Sequence, residues 1–249
     1  MIDRAFLIDR AAEGITGADL SHLAWDDLTL EDALFTDCAF TGITFAGTRL
    51  PAARFDNCRF MSCRFTHAEL DGAHFTACPF GATQDTAPRF AFCELRDASF
   101  TGCDLSFASI ERSGLFAVTF DTCNLRGARF HHADFSRALG RRSIVTRATF
   151  RGCNLELADL AEIALPGASL TNCKLREADL QGADLTGTEL RDCDLSFASI
   201  DGTKLARADL RGSDLAGLDT RRLASMAGMI VELAQLPGLA AALGMDVRA

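Results

Sequence analysis

The sequence predicts an all-β solenoid, a right-handed quadrilateral β-helix with a short C-terminal α-helical tail. Three observations predict it. Of the 40 multiples of five from Leu20 to Leu215, 38 are apolar; the exceptions are Asp85 and Gly140. The residue two places earlier is Ala, Cys, Ser or Thr at 34 of the 40 sites. Glycine recurs two places after the apolar site, as at Gly42, Gly47, Gly72, Gly102 and Gly127. A period of five matches neither a helix face nor a strand alternation. It describes a chain that turns a corner at every unit, so that four units close one coil. The large residue and the small residue two before it point inward, and the small one is small because the corner brings backbones close. The remaining positions face solvent, and the glycines mark the turn.

The solenoid is expected over residues 1–218, with regular units from about residue 16, and a helical dimerisation or capping segment over 219–249. About ten coils at strand spacing give a rod of roughly 48 Å. A step of twenty residues places Phe40, Phe60, Phe80, Phe100 and Phe120 on one face, and Phe35, Phe55 and Phe75 on another. Leu replaces nearly all the Phe after residue 150. All ten cysteines fall in the small inward slot. The same step groups them as Cys38, Cys58 and Cys78; Cys63, Cys103 and Cys123; and Cys93, Cys153, Cys173 and Cys193. Their spacing follows the coil and not a ligand motif, so they are expected to be buried free thiols.

Two stretches break the pattern while keeping its phase. GATQDTAPR, Gly81–Arg89, is centred on Asp85 and puts Pro88 in the small slot. RALGRRSIVTR, Arg137–Arg147, is centred on Gly140 and carries Arg137, Arg141, Arg142 and Arg147. A buried Asp in a packed spine is costly, so Asp85 is expected in a protruding loop. Gly81, Gln84, Asp85 and Arg89, with the four arginines of the second break, are the candidate partner-binding residues. Whole units extruded at either break would rotate every later face. Phe92, Phe107, Phe116 and Phe197 fall in outward slots, two of them in the repeated octet CDLSFASI at 103–110 and 193–200. Asp159, Asp179, Asp184, Asp192, Asp194, Asp209 and Asp214 are the candidates for an acidic face.

After Asp219 the five-residue rule gives way to helical spacing. DTRRLASMAGMIVELAQ is expected as a helix capped by Asp219 or Thr220, with Leu223, Met226, Ile230 and Leu233 on one side and Pro237-Gly238 at its end. A second short segment carries Leu239, Leu243, Met245 and Val247. These side chains are the candidate dimer contacts, and charging Ile230 or Met226 is expected to give a monomer.

A net charge of -9 disfavours direct binding to nucleic acid. The charge is uneven: residues 75–148 carry 7 acids and 9 bases, between acidic flanks. No long apolar run suggests a membrane span. The opening MIDRAFLIDRAAEG is a poor secretory signal, so a cytoplasmic location is expected. No catalytic, nucleotide or metal motif is present, and no enzyme activity, cofactor or metal is expected.

The units ADLQG and ADLTG at 178–187 and ADFSR at 133–137 resemble the pentapeptide repeat family. More narrowly, CDLSFASI, the two interruptions and the tail ending LAAALGMDV resemble the Qnr and MfpA type. That resemblance implies a homodimer joined through the tail, resembling DNA in size and surface charge. It implies binding to DNA gyrase or topoisomerase IV, with protection against topoisomerase poisons such as quinolones and a role for the two interruptions as contact loops. A scaffold with another protein partner is the alternative. The strongly basic second interruption departs from a pure DNA mimic.

Overall fold

Each five-residue unit forms one side of a four-sided coil, and the corner between sides is a single residue in left-handed conformation. That residue lies two after the inward centre. Its φ is +52° at Asp27 and Asn57, +51° at His67 and +59° at Phe107. Glycine occupies this corner freely. Asp and Asn tolerate it. The β-branched Thr122 adopts it as well, at φ +53°, so stacking of the coils overrides local preference here. The computed structural model describes residues 2–81, 83–140 and 144–245.

Coils stack through parallel ladders. The first face is an eight-stranded sheet: Ile15–Thr16, Leu34–Thr36, Arg54–Asp56, His74–Thr76, Ser99–Thr101, Val118–Asp121, Ala148–Arg151 and Ser169–Thr171. The second pairs Ala39–Thr41 with Arg59–Met61, and isolated bridges from Pro79 to Asp214 extend it. The third is a five-stranded sheet: Thr44–Ala46, Arg64–Thr66, Arg89–Ala91, Ser109–Glu111 and Arg129–His131. The fourth is held by bridges alone, from Thr29 through Arg49, Glu69, Glu94 and Gly114 to Asp134.

The two breaks extrude whole units. Phe65 pairs with Phe90, twenty-five positions on and not twenty. Phe120 pairs with Phe150, thirty positions on. One unit leaves the coil near Gly81–Asp85, and two leave it after Phe135. The second insertion forms an antiparallel hairpin, Ser136–Ala138 against Ile144–Thr146. Columns drawn across the breaks at a constant step are therefore corrected. Phe100 and Phe120 continue Phe35, Phe55 and Phe75 on the first face, not Phe40, Phe60 and Phe80. The cysteines Cys38, Cys58, Cys78, Cys103, Cys123, Cys153, Cys173 and Cys193 form one column, leading from the first face to the second. Cys63 and Cys93 stand apart at two other corners.

The core is a set of ring stacks in register. Phe45 and Phe65 lie 4.5 Å apart and 2° from parallel, and Phe40 and Phe60 4.7 Å and 5°. The stacks cross both insertions, through Phe65 and Phe90 at 4.6 Å and Phe120 and Phe150 at 5.0 Å. Ring spacing thus matches strand spacing. All ten cysteines are buried and free. Each thiol donates to a carbonyl of the preceding coil, as Cys58 to Phe35 and Cys123 to Phe100. Thr48, Thr188 and Thr203 do the same from equivalent slots. The slot therefore selects a small side chain; Ala fills it often, and where Cys or Thr fills it the donor satisfies a buried carbonyl. Burial pushes the Cys63 and Cys93 thiols up to about 11, away from reactive thiolate.

Both ends of the stack are covered. Helix Arg4–Arg10, capped by Asp3, buries Leu7 against the first coil. At the other end the expected helix over 219–235 is absent. Thr220–Arg222 is a single 3-10 turn, after which the solenoid ladder resumes one residue out of phase. Ser225 bridges Lys204, and Ile230 bridges Asp209. Met226 and Val231 thus follow the centres Leu205 and Leu210, and Gly228 turns the corner at φ +72°. The helix is Leu236–Ala242, and Pro237 opens it and does not end it.

Candidate functional site

The outward features form four groups. The first loop rises from Gly81, whose φ is +99° and where a Cβ would lie 2.4 Å from the Thr86 carbonyl oxygen. A side chain there would push the base of the loop apart. Thr83 accepts from the backbone of Ala87 at 2.9 Å, and its hydroxyl lies 2.8 Å from that of Thr86. This compact turn exposes Gln84 and Asp85, as the sequence predicts for Asp85. Arg89 lies on the strand after the loop and donates to Glu111 at 3.0 Å.

The hairpin is the second group. Arg137 lies 5.7 Å over the ring of Phe116, which is buried beneath it and not exposed as expected. Arg147 is exposed and donates its backbone N–H to Phe135. Arg141 and Arg142 lie outside the described residues. Leu139, Ile144 and Val145 are exposed, Ile144 by 75%, so the hairpin offers apolar as well as basic contacts. Sequence reasoning missed this trio, although Val145 occupies an apolar centre in a stretch already read as protruding.

The acidic candidates are the third group, and the structure distributes them around the rod. Asp159 and Asp179 adjoin on the third face, and Asp194 and Asp214 on the second. Asp184 is on the fourth face, Asp209 on the first, and Asp192 at the corner that follows. Most have a local duty: a carboxylate oxygen accepts from the backbone N–H two residues on. Asp159 does so with Ala161, Asp179 with Gln181, Asp184 with Thr186, Asp194 with Ser196 and Asp214 with Ala216. This turn explains the recurrent Asp before the centre. Several are also neutralised. Asp184 accepts from Lys204 at 3.1 Å, and Asp159 lies 2.8 Å from His131. Asp209, only 6% exposed, accepts from Arg191 at 2.7 Å and from Arg211 at 2.7 and 2.9 Å. The bonds from Arg211 and Arg191 hold its carboxyl well below the usual range.

The outward phenylalanines have partners of their own. Phe107 lies over Gly127, where a Cβ would come within 2.8 Å of its ring, and Phe197 lies over Gly217 in the same way at 2.6 Å. Phe92 is sandwiched between His67, at 5.1 Å, and Arg112, at 5.8 Å.

The apolar end is the fourth group. Met226, Met229, Val231, Leu236 and Leu239 line a groove of about 470 Å³, with Leu243 and Met245 at its edge. Leu233 stands beyond it, 85% exposed, and Ile230 is 45% exposed because it occupies an outward slot. Leu223 is half-buried against the last coil. Val247 lies outside the described residues. Among the described residues no helix is long and apolar enough to cross a membrane. Among the described residues no three His, Cys, Asp or Glu side chains converge to hold a metal ion.

A parallel four-sided solenoid with its small-large inward slots, two extruded segments and an apolar end defines a class of repeat protein. Segments 38–76, 120–156, 153–192 and 188–219 match the profile of pentapeptide repeats, with eight copies, and the chain belongs to that family. No curated protein sequence matches it. Among solved structures it is similar to a trypsin-treated variant of QnrB1, a plasmid-mediated fluoroquinolone resistance protein. The TM-score is 0.71 at 23% identity, covering 95% of this chain and 99% of that one. It is also similar to full-length QnrB1, with a TM-score of 0.68 at 23% identity, covering 93% of this chain and 100% of that one.

Proposed function

We propose that this protein is a non-catalytic binding protein for a type II topoisomerase, DNA gyrase or topoisomerase IV, and that it protects that enzyme from a poison in the cytoplasm. The observation that carries the reading is the end-to-end correspondence with a fluoroquinolone resistance protein, 95% of this chain against 99% of that one. Two extruded segments and an apolar end, where the resemblance in sequence leads one to look for contact loops and a dimer interface, support it. The charge distribution shapes the proposed contact. The net charge of -9 is spread over four faces and partly neutralised, so the proposed contact rests more on the loop and hairpin than on one acidic stripe.

The test is a supercoiling assay with gyrase, a decatenation assay with topoisomerase IV and a cleavage assay with each, using purified protein with and without a quinolone. Protection of supercoiling, or fewer poison-trapped breaks, is the expected result. No binding, inhibition or protection with either enzyme would sink the reading and leave the scaffold alternative.

A further inference from the structure

The third face carries a basic island within an acidic molecule. Between Thr44 and His132 its outward positions hold Arg64, Arg89, Arg112 and Arg129, with His67, His131 and His132 beside them. Glu111 is the one acid among them. The same face is acidic on either side, with Asp26 and Asp27 before the island and Asp159, Glu162, Asp179 and Asp201 after it. Glu111 is committed to Arg89 at 3.0 Å and lies 3.8 Å from Arg112. Asp159, next to Arg129 in the ladder, is engaged by His131 at 2.8 Å. Arg64 and Arg129 have no acidic partner within salt-bridge distance among the described residues, and both are exposed. They line a groove of about 400 Å³ between this face and the first loop, where Phe107 adds an apolar wall and Asp85 stands on the loop side.

We infer that this groove binds an acidic, extended segment of a protein partner. Arg64, Arg89, Ser109 and Arg129 occupy successive rungs of one parallel ladder. Three rungs separate the two unpaired arginines, roughly 14 Å at strand spacing. An extended peptide covers that distance in about four residues, and side chains four apart point to the same side. The groove therefore fits a chain laid along the rod with carboxylates four residues apart, one on each arginine. Charge-assisted bonds to carboxylate oxygens supply the recognition, and the flanking acids set the register by repulsion.

The same flanks exclude a long polyanion, because a nucleic-acid backbone running past the island meets Asp26 and Asp27 at one end and Asp159, Glu162 and Asp179 at the other. A stacked nucleobase also finds no platform on Phe92, since His67 and Arg112 cover both sides of that ring. This inference goes beyond the topoisomerase reading and does not depend on it.

The test is fluorescence anisotropy at low salt with a fluorescein-labelled Glu-Thr repeat peptide, against a Gln-Thr repeat and an oligothymidylate of similar length. Saturable binding of the Glu-Thr peptide alone is expected. It should weaken about tenfold in the double variant R64E/R129E and fall as salt rises. R54E, on the first face, should bind as the unaltered protein does, and thermal melts of all three proteins should coincide because these side chains are exposed. Equal binding of the Glu-Thr and Gln-Thr peptides, full binding by R64E/R129E, or tighter binding of the oligothymidylate would each overturn the inference.

Discussion

At the scale of single residues, the outward acids are as much architecture as surface charge. Asp209 is the clearest case. It accepts from its own turn and from two arginines, and it is 6% exposed. Its carboxyl is held well below the ordinary value by Arg211 and Arg191. A depressed native pKa means that this stabilisation is complete above the unfolded value of about 3.9 and is lost as pH falls below it. D209N keeps the turn acceptor but loses the charge. At neutral pH it is expected to cost about 1.5–3 kcal/mol, the range for hydrogen bonds to charged groups. The gap between D209N and the unaltered protein should close as the pH falls through 4 and below. Denaturant melts at several pH values would check this, and a gap that widened toward acid would contradict the assignment. The acid one before each inward centre is visible in the sequence as a repeated Asp. Its turn role is not, because an outward acid looks the same whether or not it closes a hydrogen bond.

At the scale of elements, the five-residue rule made the coil legible and left its interruptions ambiguous. Inward slots repeat at fixed spacing, so Phe40, Phe60 and Cys58 are legible from pattern alone. Extruding whole units leaves that pattern unbroken. Asp85 and Gly140 therefore marked where the chain leaves the coil, but not how many units leave with it. Only the pairings of Phe65 with Phe90 and Phe120 with Phe150 fix those numbers. The tail failed for a related reason. One extra residue near the turn Thr220–Arg222 shifts the phase, and Met226, in a centre position, with Ile230, in an outward one, then mimics half of a helical stripe. With a one-residue slip, ASMAG at 224–228 reads as another unit. The register yields a sharp prediction. Deleting residues 81–85 joins Phe80 to TAPRF as a regular unit, with Ala87 at a corner that alanine already fills at Ala52 and Ala77. That variant should fold and melt within about 4 °C of the parent, because closing a short loop changes little entropy. Deleting residues 81–84 instead shifts every later centre by one and turns the core residues outward. It should lose cooperative melting over the C-terminal coils. Circular dichroism of the two variants separates them, and equal tolerance would refute the register.

At the scale of the whole molecule, the two ends of the stack differ. Helix Arg4–Arg10 closes the first coil by burying Leu7. The last coil is closed less completely, because Leu236–Ala242 leaves a groove floored by Met226, Met229 and Val231 and rimmed by exposed Leu236 and Leu243. A solenoid is stabilised between neighbouring coils, so an apolar end is a place where stacking has not stopped. A second copy meeting the same surface about a two-fold axis would cover both grooves at once. Met226 is 42% exposed, but it follows the centre Leu205 in the ladder, so charging it would disturb the last coil as well as the contact. Leu233 and Ile230 are better: both are exposed, and neither fills a centre slot. L233E and I230E are expected to leave the melting of dilute protein unchanged while converting a dimer to a monomer by light scattering. If both variants remain dimeric, the apolar end is not the contact. The parent protein running as a monomer at high concentration would rule out pairing through this end altogether.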